Sequence, residues 1–314
     1  MIGCKFKFGK DTWDLHIHGK YSFIVGDSSS GKSFLEASVS QYAAAIGSLP
    51  IVSGYRLIPY IVFIDLEIEE LRPTDIIIVD EDDIGYSNVS KRNIYKRAEQ
   101  TPCYFIFCTR ELPTRISYGY EDIFLLGRSG HYHEMIRLLQ DHSPVFSKHV
   151  KLPDMILTED SKSGFIAMQS LYGKDRVRSA FGRSAIPQIV AKGRDSISVY
   201  LDLCGAGNII PELVSLLETR INVRLLNSKS FECDALRNKR FRDRTYATYN
   251  SDGKQALLES EESYYSRVLS AWMRSEFNIA YDKGSRQCLS LLTKDKSWLP
   301  SVVSEVSTLH RLEL

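Results

Sequence analysis

Residues 26–33 have the composition and spacing of a phosphate-binding loop. The segment is Gly-Asp-Ser-Ser-Ser-Gly-Lys-Ser, which fits the pattern G-x-x-x-x-G-K-[ST]. Glycine permits the backbone curvature that turns N–H groups towards phosphate oxygens, and the N-terminus of a following helix favours an anion. We expect the Lys32 ammonium to contact the β- and γ-phosphates and the Ser33 hydroxyl to bind Mg²⁺. The alternative is a surface turn, but an apolar strand precedes the segment and a helix follows it.

The predicted nucleotide contacts extend over the whole loop and to one neighbouring strand. They are Gly26, Asp27, Ser28, Ser29, Ser30, Gly31, Lys32, Ser33, Phe34 and Thr109. Thr109 follows the apolar run Tyr104–Cys108, and a polar side chain at that strand end could sense the γ-phosphate. Arg110 comes next and could neutralise developing charge. A simple turn at the end of the strand is the alternative.

Two carboxylates follow another apolar strand. Residues 76–79 are Ile-Ile-Ile-Val, and Asp80 and Glu81 come directly after them. In P-loop enzymes we expect such a strand beside the P-loop strand, with its Asp helping to hold Mg²⁺. A Glu in the next position can orient or deprotonate the attacking water. We therefore assign Asp80 to the metal, and Glu81 with Lys32 to catalysis. A plain acidic loop is the alternative, because two more aspartates follow.

The second half of the chain contains two more apolar strands that end in an acid. Met155–Thr158 precedes Glu159, and Ser198–Leu201 precedes Asp202. These acids would lie at the carboxyl ends of adjacent parallel strands, where open α/β sheets bind ligands. Two carboxylates at that edge can hold a divalent metal that activates water or stabilises a phosphodiester leaving group. We therefore expect Glu159 and Asp202 to be metal ligands and catalytic residues.

The opening hairpin, the loop, the Asp-Glu strand and the Thr109 strand together resemble ATPase domains of the ABC and structural-maintenance-of-chromosomes type. The resemblance covers residues 1 to about 140 and implies bound ATP and Mg²⁺. That family carries an L-S-G-G-Q-like segment, which completes the partner subunit's site in an ATP-sandwiched dimer. No such segment precedes Ile76, and Lys32 and Asp80 are close in sequence for that family. The resemblance therefore implies a reduced domain whose hydrolysis is slow or depends on a partner.

Residues from about 150 to 230 resemble a Toprim domain, the metal-binding fold of topoisomerases, primases and OLD-family nucleases. Glu159 matches that family's strand-end glutamate. Asp202 and Gly207 match its D-x-D-x-x-G run, in which Cys204 replaces the second aspartate. An ABC-like ATPase followed by a Toprim domain is the plan of OLD-family nucleases, which act on DNA and occur in defence systems and mobile elements. The alternative is a degenerate domain retained as a scaffold, since the missing carboxylate weakens metal affinity.

Two basic segments could contact DNA or RNA. Lys174–Arg183 and Arg237–Arg244 could bind a phosphate backbone, and Phe181 and Phe241 could stack on bases. The alternative for both segments is a solvated helix face or loop.

These residues have to be positioned by an α/β fold. Alternating strands and helices predict a parallel P-loop NTPase sheet with an N-terminal β-hairpin, then a Toprim-like α/β domain and C-terminal helices. The expected domains are residues 1–142, 143–250 and 251–314. We also expect an extended segment at Tyr60–Ile64, a helix at Ile136–Leu139, a helix at Ala256–Trp272 and surface positions for His131 and His133.

The composition is that of a soluble globular protein, with 43% hydrophobic and 25% charged residues. The net charge of +1 gives no global argument for nucleic acid or a membrane. The six cysteines form no C-x-x-C pair and no zinc-finger spacing. The sequence has no signal-peptide pattern and no apolar run of membrane-spanning length. We therefore expect a cytoplasmic protein without a membrane partner.

The favoured hypothesis is an ATP-dependent enzyme whose nucleotide state controls a Toprim-like domain acting on nucleic acid. The alternative is a nucleotide-dependent switch or assembly subunit, in which that domain is a scaffold for a partner protein. Self-association or binding of a partner protein is expected in either case. A small-molecule kinase is disfavoured, because Asp80 and Glu81 suit water rather than a substrate hydroxyl as the acceptor.

Overall fold

A computed structural model describes residues 2–26, 30–84, 88–113, 116–142, 154–193, 196–220, 222–226, 228–237, 249, 258–294 and 305–308. The chain divides into two compact units. The first comprises Met1–Leu138 with Asn250–Glu259, and the second comprises Leu139–Tyr249 with Ser260–Leu314. Both units combine strands and helices, so the α/β class predicted from the sequence is confirmed.

The first unit is built on a mixed sheet, which has nine strands within the described residues. Its strands are β1 (Ile2–Phe8), β2 (Asp11–Ile17), β3 (Tyr21–Val25), β4 (Ile51–Val52), β5 (Tyr55–Pro59), β6 (Asp75–Asp80), β7 (Tyr104–Thr109), β8 (Ile123–Ser129) and β9 (Tyr132–Arg137). Its helices are α1 (Lys32–Ile46), α2 (Tyr60–Phe63), α3 (Glu81–Ile84) and α4 (Asn88–Gln100). The strand order is β1-β2-β9-β8-β3-β7-β6-β5-β4.

The centre of this sheet is parallel and its edges are not. Strands β8, β3, β7, β6 and β5 pair in parallel, as do β2 and β9, whereas β1 with β2, β8 with β9, and β4 with β5 are antiparallel. The N-terminal hairpin is thus confirmed. The expectation that the strand of Asp80 lies beside the P-loop strand is wrong, because β7 lies between β3 and β6. Every residue of β7 is buried, and a central position in the sheet provides that burial on both faces.

Two local predictions in this unit are also wrong. Tyr60–Phe63 is helical, because the strand ends at Pro59, whose φ of −69° leads into the first turn of α2. Most of Ile136–Leu139 is extended, because β9 continues its antiparallel pairing with β8 as far as Arg137. Hydrophobic pattern alone does not separate short strands from short helices.

The second unit has a six-stranded sheet within the part of the chain that the structure describes. Its strands are β10 (Leu139–His142), β11 (Met155–Thr158), β12 (Val177–Ser179), β13 (Ile197–Tyr200), β14 (Val223–Leu226) and β15 (Glu305–Thr308). Its helices are α5 (Ser163–Tyr172), α6 (Ile186–Lys192), α7 (Ile210–Thr219), α8 (Phe231–Leu236), α9 (Glu261–Phe277) and α10 (Arg286–Thr293). Strands β12, β11, β13 and β14 are parallel neighbours, and the antiparallel strands β15 and β10 extend the sheet beyond β14.

The C-terminal helices belong to the second compact unit. Helix α9 begins after Ser260, whose hydroxyl accepts a bond from Ser263 N at 3.2 Å, and ends at Asn278 in a left-handed conformation. It overlaps the helix predicted at Ala256–Trp272, whose first two residues lie outside the described ranges. No helix in the described part of the chain is long and apolar enough to cross a membrane.

Candidate nucleotide and metal sites

The glycine-rich loop connects β3 to α1. Gly26 and Gly31 have φ values of +146° and +87°, a region that side chains with a Cβ rarely adopt. A Cβ at position 26 would also approach Ser30 Oγ to 3.2 Å. These two positions therefore require glycine, as the sequence pattern predicts for a loop that curves around a ligand. The predicted contacts Asp27, Ser28 and Ser29 lie outside the described residues.

Lys32 is the first residue of α1 and its side chain folds back onto the loop. It is 7% exposed, and its ammonium donates to the Gly26 carbonyl and to Ser30 Oγ at 3.1 Å. The cation therefore lies on the inner side of the loop. Ser33 and Phe34 are exposed at the same helix end, so their side chains are accessible.

Asp80 ends β6 and is almost completely buried. Its Oδ1 accepts a bond from Asp82 N at 2.9 Å, whereas its buried Oδ2 has no hydrogen-bond partner among the described residues. A buried carboxylate oxygen without a partner is costly unless a cation or water compensates it. The sequence predicted a metal ligand at this position, and the geometry fits one.

Glu81 is held by three donors. Lys91 on α4 contacts Oε1 at 2.5 Å, while Arg110 N and Thr109 Oγ1 lie 2.6 and 3.1 Å from Oε2. Burial raises the pKa of this carboxyl, but the Lys91 contact and the bonds from Arg110 and Thr109 outweigh burial and lower it overall. Glu81 is therefore ionised at neutral pH, and Thr109 contacts it directly.

Lys91 was not identified from the sequence. It lies ten residues after Glu81 on α4, which follows the acidic turn of α3. A lysine on a polar helix gives no sequence signal that distinguishes an ion pair from a solvated side chain.

His133 is buried, and its predicted surface position is wrong. Strand β9 pairs with β2 so that His133 lies opposite Trp13, and the two rings stack at 4.3 Å. Its Nε2 lies 3.1 Å from Asp11 Oδ1. The acidic partner comes from a strand about 120 residues earlier in the chain, so local spacing could not identify it.

In the second unit, Glu159 and Asp202 follow the adjacent parallel strands β11 and β13, as the sequence predicted. Both line a cavity of about 340 Å³. Arg183 Nε donates to Glu159 Oε1 at 2.9 Å, and its guanidinium also donates to the Gly205 carbonyl. Glu159 Oε2 is buried and has no partner among the described residues.

Asp202 is placed among other charges. Its Oδ1 accepts a bond from Phe231 N at 3.0 Å, and its Oδ2 faces the Lys283 ammonium at 3.8 Å. Burial raises the pKa of Asp202 well above its ordinary value, and repulsion from Glu232 raises it further. Additional positive charge at this edge of the sheet would therefore favour its ionised form.

Three residues of this cavity were not identified from the sequence. Glu232, Glu262 and Lys283 line it with Glu159 and Asp202. The Lys283 ammonium contacts Glu232 Oε1 at 3.3 Å and also bonds to Glu262. Lys283 is distant in sequence from all of its carboxylate partners except Glu262, so no local pattern could have found the cluster.

The basic segments are only partly described. In Lys174–Arg183, Arg183 bonds to Glu159 inside the cavity, whereas Phe181 is 86% exposed. In Arg237–Arg244, Arg237 lies 3.5 Å from Asp234, and residues 238–244, including Phe241, lie outside the described ranges.

The chain matches no protein-family model and no curated protein. The residues at the carboxyl ends of the parallel strands in the two sheets are therefore the basis for a functional proposal.

Proposed function

We propose that the first unit binds and hydrolyses ATP with Mg²⁺, and that its nucleotide state controls the second unit, a Toprim-like domain that acts on or binds nucleic acid. One observation carries the nucleotide part. A glycine loop with left-handed positions leads into a helix whose first residue, Lys32, turns back into the loop. Asp80 Oδ2, which has no hydrogen-bond partner in the described part of the chain, lies at the end of a strand in the same parallel core.

The residues of the first unit fit a magnesium-bound triphosphate. Lys32 would exchange the Gly26 carbonyl and Ser30 hydroxyl for phosphate oxygens, which are stronger acceptors because they are charged. Ser33 and Asp80 would hold the metal, whose charge offsets the charge that develops on the transferred phosphoryl group.

Glu81 would orient the attacking water. Its lowered pKa keeps it ionised, but Lys91, Arg110 N and Thr109 already use both of its oxygens. Turnover is therefore slow until the contact with Lys91 opens. This agrees with the reduced domain that the resemblance to ABC-type ATPases implies.

The proposed role of the second unit depends on the strand-end acids Glu159 and Asp202. Their positions on β11 and β13 suit a divalent cation that binds a phosphodiester. The order of an ABC-like unit followed by this unit resembles OLD-family nucleases, and on that basis we propose a DNA or RNA ligand and a role in defence or a mobile element.

The nucleotide proposal is tested with a fluorescent ATP analogue and a phosphate-release assay on the full chain. Lys32→Ala should abolish both binding and turnover. Lys20→Ala is the matched control. Lys20 lies directly before the first residue of β3, whereas the loop follows the last one, and its ammonium donates to the Glu99 carbonyl. Unchanged nucleotide affinity in Lys32→Ala would contradict the proposal.

The nucleic-acid proposal needs a separate measurement. The full chain, with and without ATP, is titrated with single- and double-stranded DNA and RNA at low salt, where phosphate contacts are strongest. Cleavage is then followed with Mg²⁺ or Mn²⁺. No binding to any of these under low salt would end this part of the proposal.

A second candidate function is a nucleotide-dependent switch with a non-catalytic second unit. Cys204 stands where the Toprim pattern has an aspartate, and Arg183 and Lys283 already contact the remaining acids. Glu159→Ala and Asp202→Ala should then leave the cellular phenotype intact, whereas Lys32→Ala should lose it. The reverse result would reject the switch.

A further inference from the structure

Glu232 is a fully buried carboxylate with one unused oxygen. It lies in the first turn of α8 and has no exposed surface. Its Oε1 accepts a bond from the Tyr281 hydroxyl at 3.0 Å and contacts Lys283 at 3.3 Å. Its Oε2 has no hydrogen-bond partner in the described part of the chain, although the residue lines the cavity that contains Glu159 and Asp202. Burying a carboxylate oxygen without a partner is costly, so this atom points to a ligand.

The three carboxylates share one arrangement. Arg183 holds Oε1 of Glu159, and the Oε2 of that residue has no described partner. Asp202 Oδ1 is held by a backbone N–H, while its Oδ2 lies 3.8 Å from the Lys283 ammonium, beyond hydrogen-bond distance. Glu232 repeats the pattern. Metal-binding carboxylates are commonly fixed in this way, with one oxygen held by the protein and the other presented to the ion.

The charge of the cavity also suits a divalent ion. Its acidic lining residues are Glu159, Asp160, Asp202, Glu232 and Glu262, and its basic lining residues are Lys162, Arg183 and Lys283. The carboxylates therefore exceed the cations by two charges, which is the charge of one divalent cation. Oxygen ligands of this kind suit Mg²⁺, Mn²⁺ or Ca²⁺.

The topology explains how Glu232 reaches this position. Strand β14 is the parallel neighbour of β13, so the segment that follows it emerges at the same sheet edge as Asp202. Helix α8 begins a few residues later and brings Glu232 to the cavity.

We propose that Glu232 is the third carboxylate ligand of a divalent metal site formed with Glu159 and Asp202. It supplies the ligand that is missing at Cys204. The inference rests on the proposed metal role of the second unit and is independent of ATP binding in the first. Binding would draw the carboxylates together, because among the described residues these three do not present oxygens that all lie within 4.8 Å of one another.

The test measures the Kd of Mn²⁺ for the nucleotide-free full chain. The concentration of free Mn²⁺ is monitored by electron paramagnetic resonance during the titration. Glu232→Gln keeps the shape of the side chain and should raise the Mn²⁺ Kd about tenfold or more, as should Asp202→Asn. Glu212→Gln is the matched control, because Glu212 is an exposed glutamate on α7 of the same unit and does not line the cavity, and its Kd should stay within about threefold of the wild type. Equal Mn²⁺ affinity in Glu232→Gln and the wild type, or no Mn²⁺ binding by the wild type, would overturn the inference.

A second measurement uses the wild-type chain and does not depend on how Glu232→Gln folds. Fe²⁺ with hydrogen peroxide generates hydroxyl radicals at bound iron, ascorbate reduces the resulting Fe³⁺ back to Fe²⁺, and backbone cleavage then marks the residues around the metal. Cleavage is expected near positions 159, 202 and 232. Cleavage near 159 and 202 without 232 would overturn the inference. Mn²⁺ binding without nucleic-acid cleavage would instead contradict the nuclease role and leave the metal site intact.

Discussion

Each unit places a lysine against carboxylates at the carboxyl edge of its sheet, with different results. In the first unit Lys91 pairs with Glu81, whose pKa is lowered although burial opposes this. In the second unit Lys283 is shared by Asp202, Glu232 and Glu262, and the pKa of Asp202 is raised by burial and by its acidic neighbours. A lysine contact therefore does not by itself fix a carboxylate's ionisation. Its ionisation depends on the balance of charge and burial around it.

This difference separates the chemistry of the two clusters. Glu81 is charge-compensated and fully hydrogen-bonded, so its activity is limited by how tightly it is held. The second cluster has too few cations for its acids, so it gains from any added positive charge. The activity that depends on the first cluster should change when a contact is lost. The stability of the second cluster should change when a metal is added.

The largest expected effect tests the role of the compensated carboxylate. Glu81→Gln should lower ATP turnover about a thousandfold, because positioned general bases contribute factors of this size. Binding of a fluorescent ATP analogue should stay unchanged, since Glu81 is the first residue of α3, directly after β6, and does not belong to the loop. A Glu81→Gln variant with wild-type phosphate release would show that another group activates the water.

His18 and its two acidic neighbours form a second charge-compensated cluster in the first unit, and this cluster should make the free energy of unfolding depend on pH. Burial lowers the pKa of His18, but hydrogen bonds to Asp122 and Glu121 outweigh burial and raise it to about 9. Because the folded pKa lies above the ordinary value of 6.5, the stabilisation is complete below pH 6.5 and is lost as the pH rises through 9. The shift corresponds to about 3 kcal/mol.

Urea unfolding from pH 6 to pH 10 measures this loss. His18→Gln should be less stable than the wild type at pH 6 and should lack most of the decline towards pH 10. His16→Gln is the control, because His16 contacts Asp14 at 3.3 Å on the same segment and is more exposed. Parallel stability curves for His18→Gln and the wild type would contradict the prediction.

The uncompensated cluster should depend on its shared lysine. Lys283→Met removes the cation contacted by three carboxylates and should reduce the free energy of unfolding by about 2 kcal/mol. The value is below that of fully buried pairs because the Lys283 side chain is 34% exposed. Millimolar Mn²⁺ should raise the melting temperature of Lys283→Met more than that of the wild type. Equal shifts would show that metal and lysine do not share these carboxylates.

The sequence predicted the strands and the strand-end acids, but not the partners of those acids. Apolar runs such as 76–79 and 155–158 mark buried strands because only strands covered on both faces lack alternation. Strand β7 lies between β3 and β6 although it follows both in the chain. This order depends on how the connections cross over the sheet, and the local hydrophobic pattern does not encode it. Lys91, Glu232 and Lys283 are brought to their partners by packing of separate elements, and a single charged residue gives no signal of that contact.

The smallest expected effect tests whether Lys91 restrains the catalytic glutamate. In Lys91→Met, Glu81 keeps the bonds from Arg110 N and Thr109 but loses its ion pair, so it can turn towards a bound water. We expect ATP turnover to rise about threefold to tenfold, with a stability cost of at most about 1 kcal/mol because Lys91 is partly exposed. Lys96→Met on the same helix is the control and should leave turnover unchanged, since Lys96 lines a cavity of the first unit that Glu81 does not line. A fall in turnover in Lys91→Met alone would mean that Lys91 orients Glu81 for catalysis rather than restraining it, and the two lysines of the comparison would then both support their carboxylates.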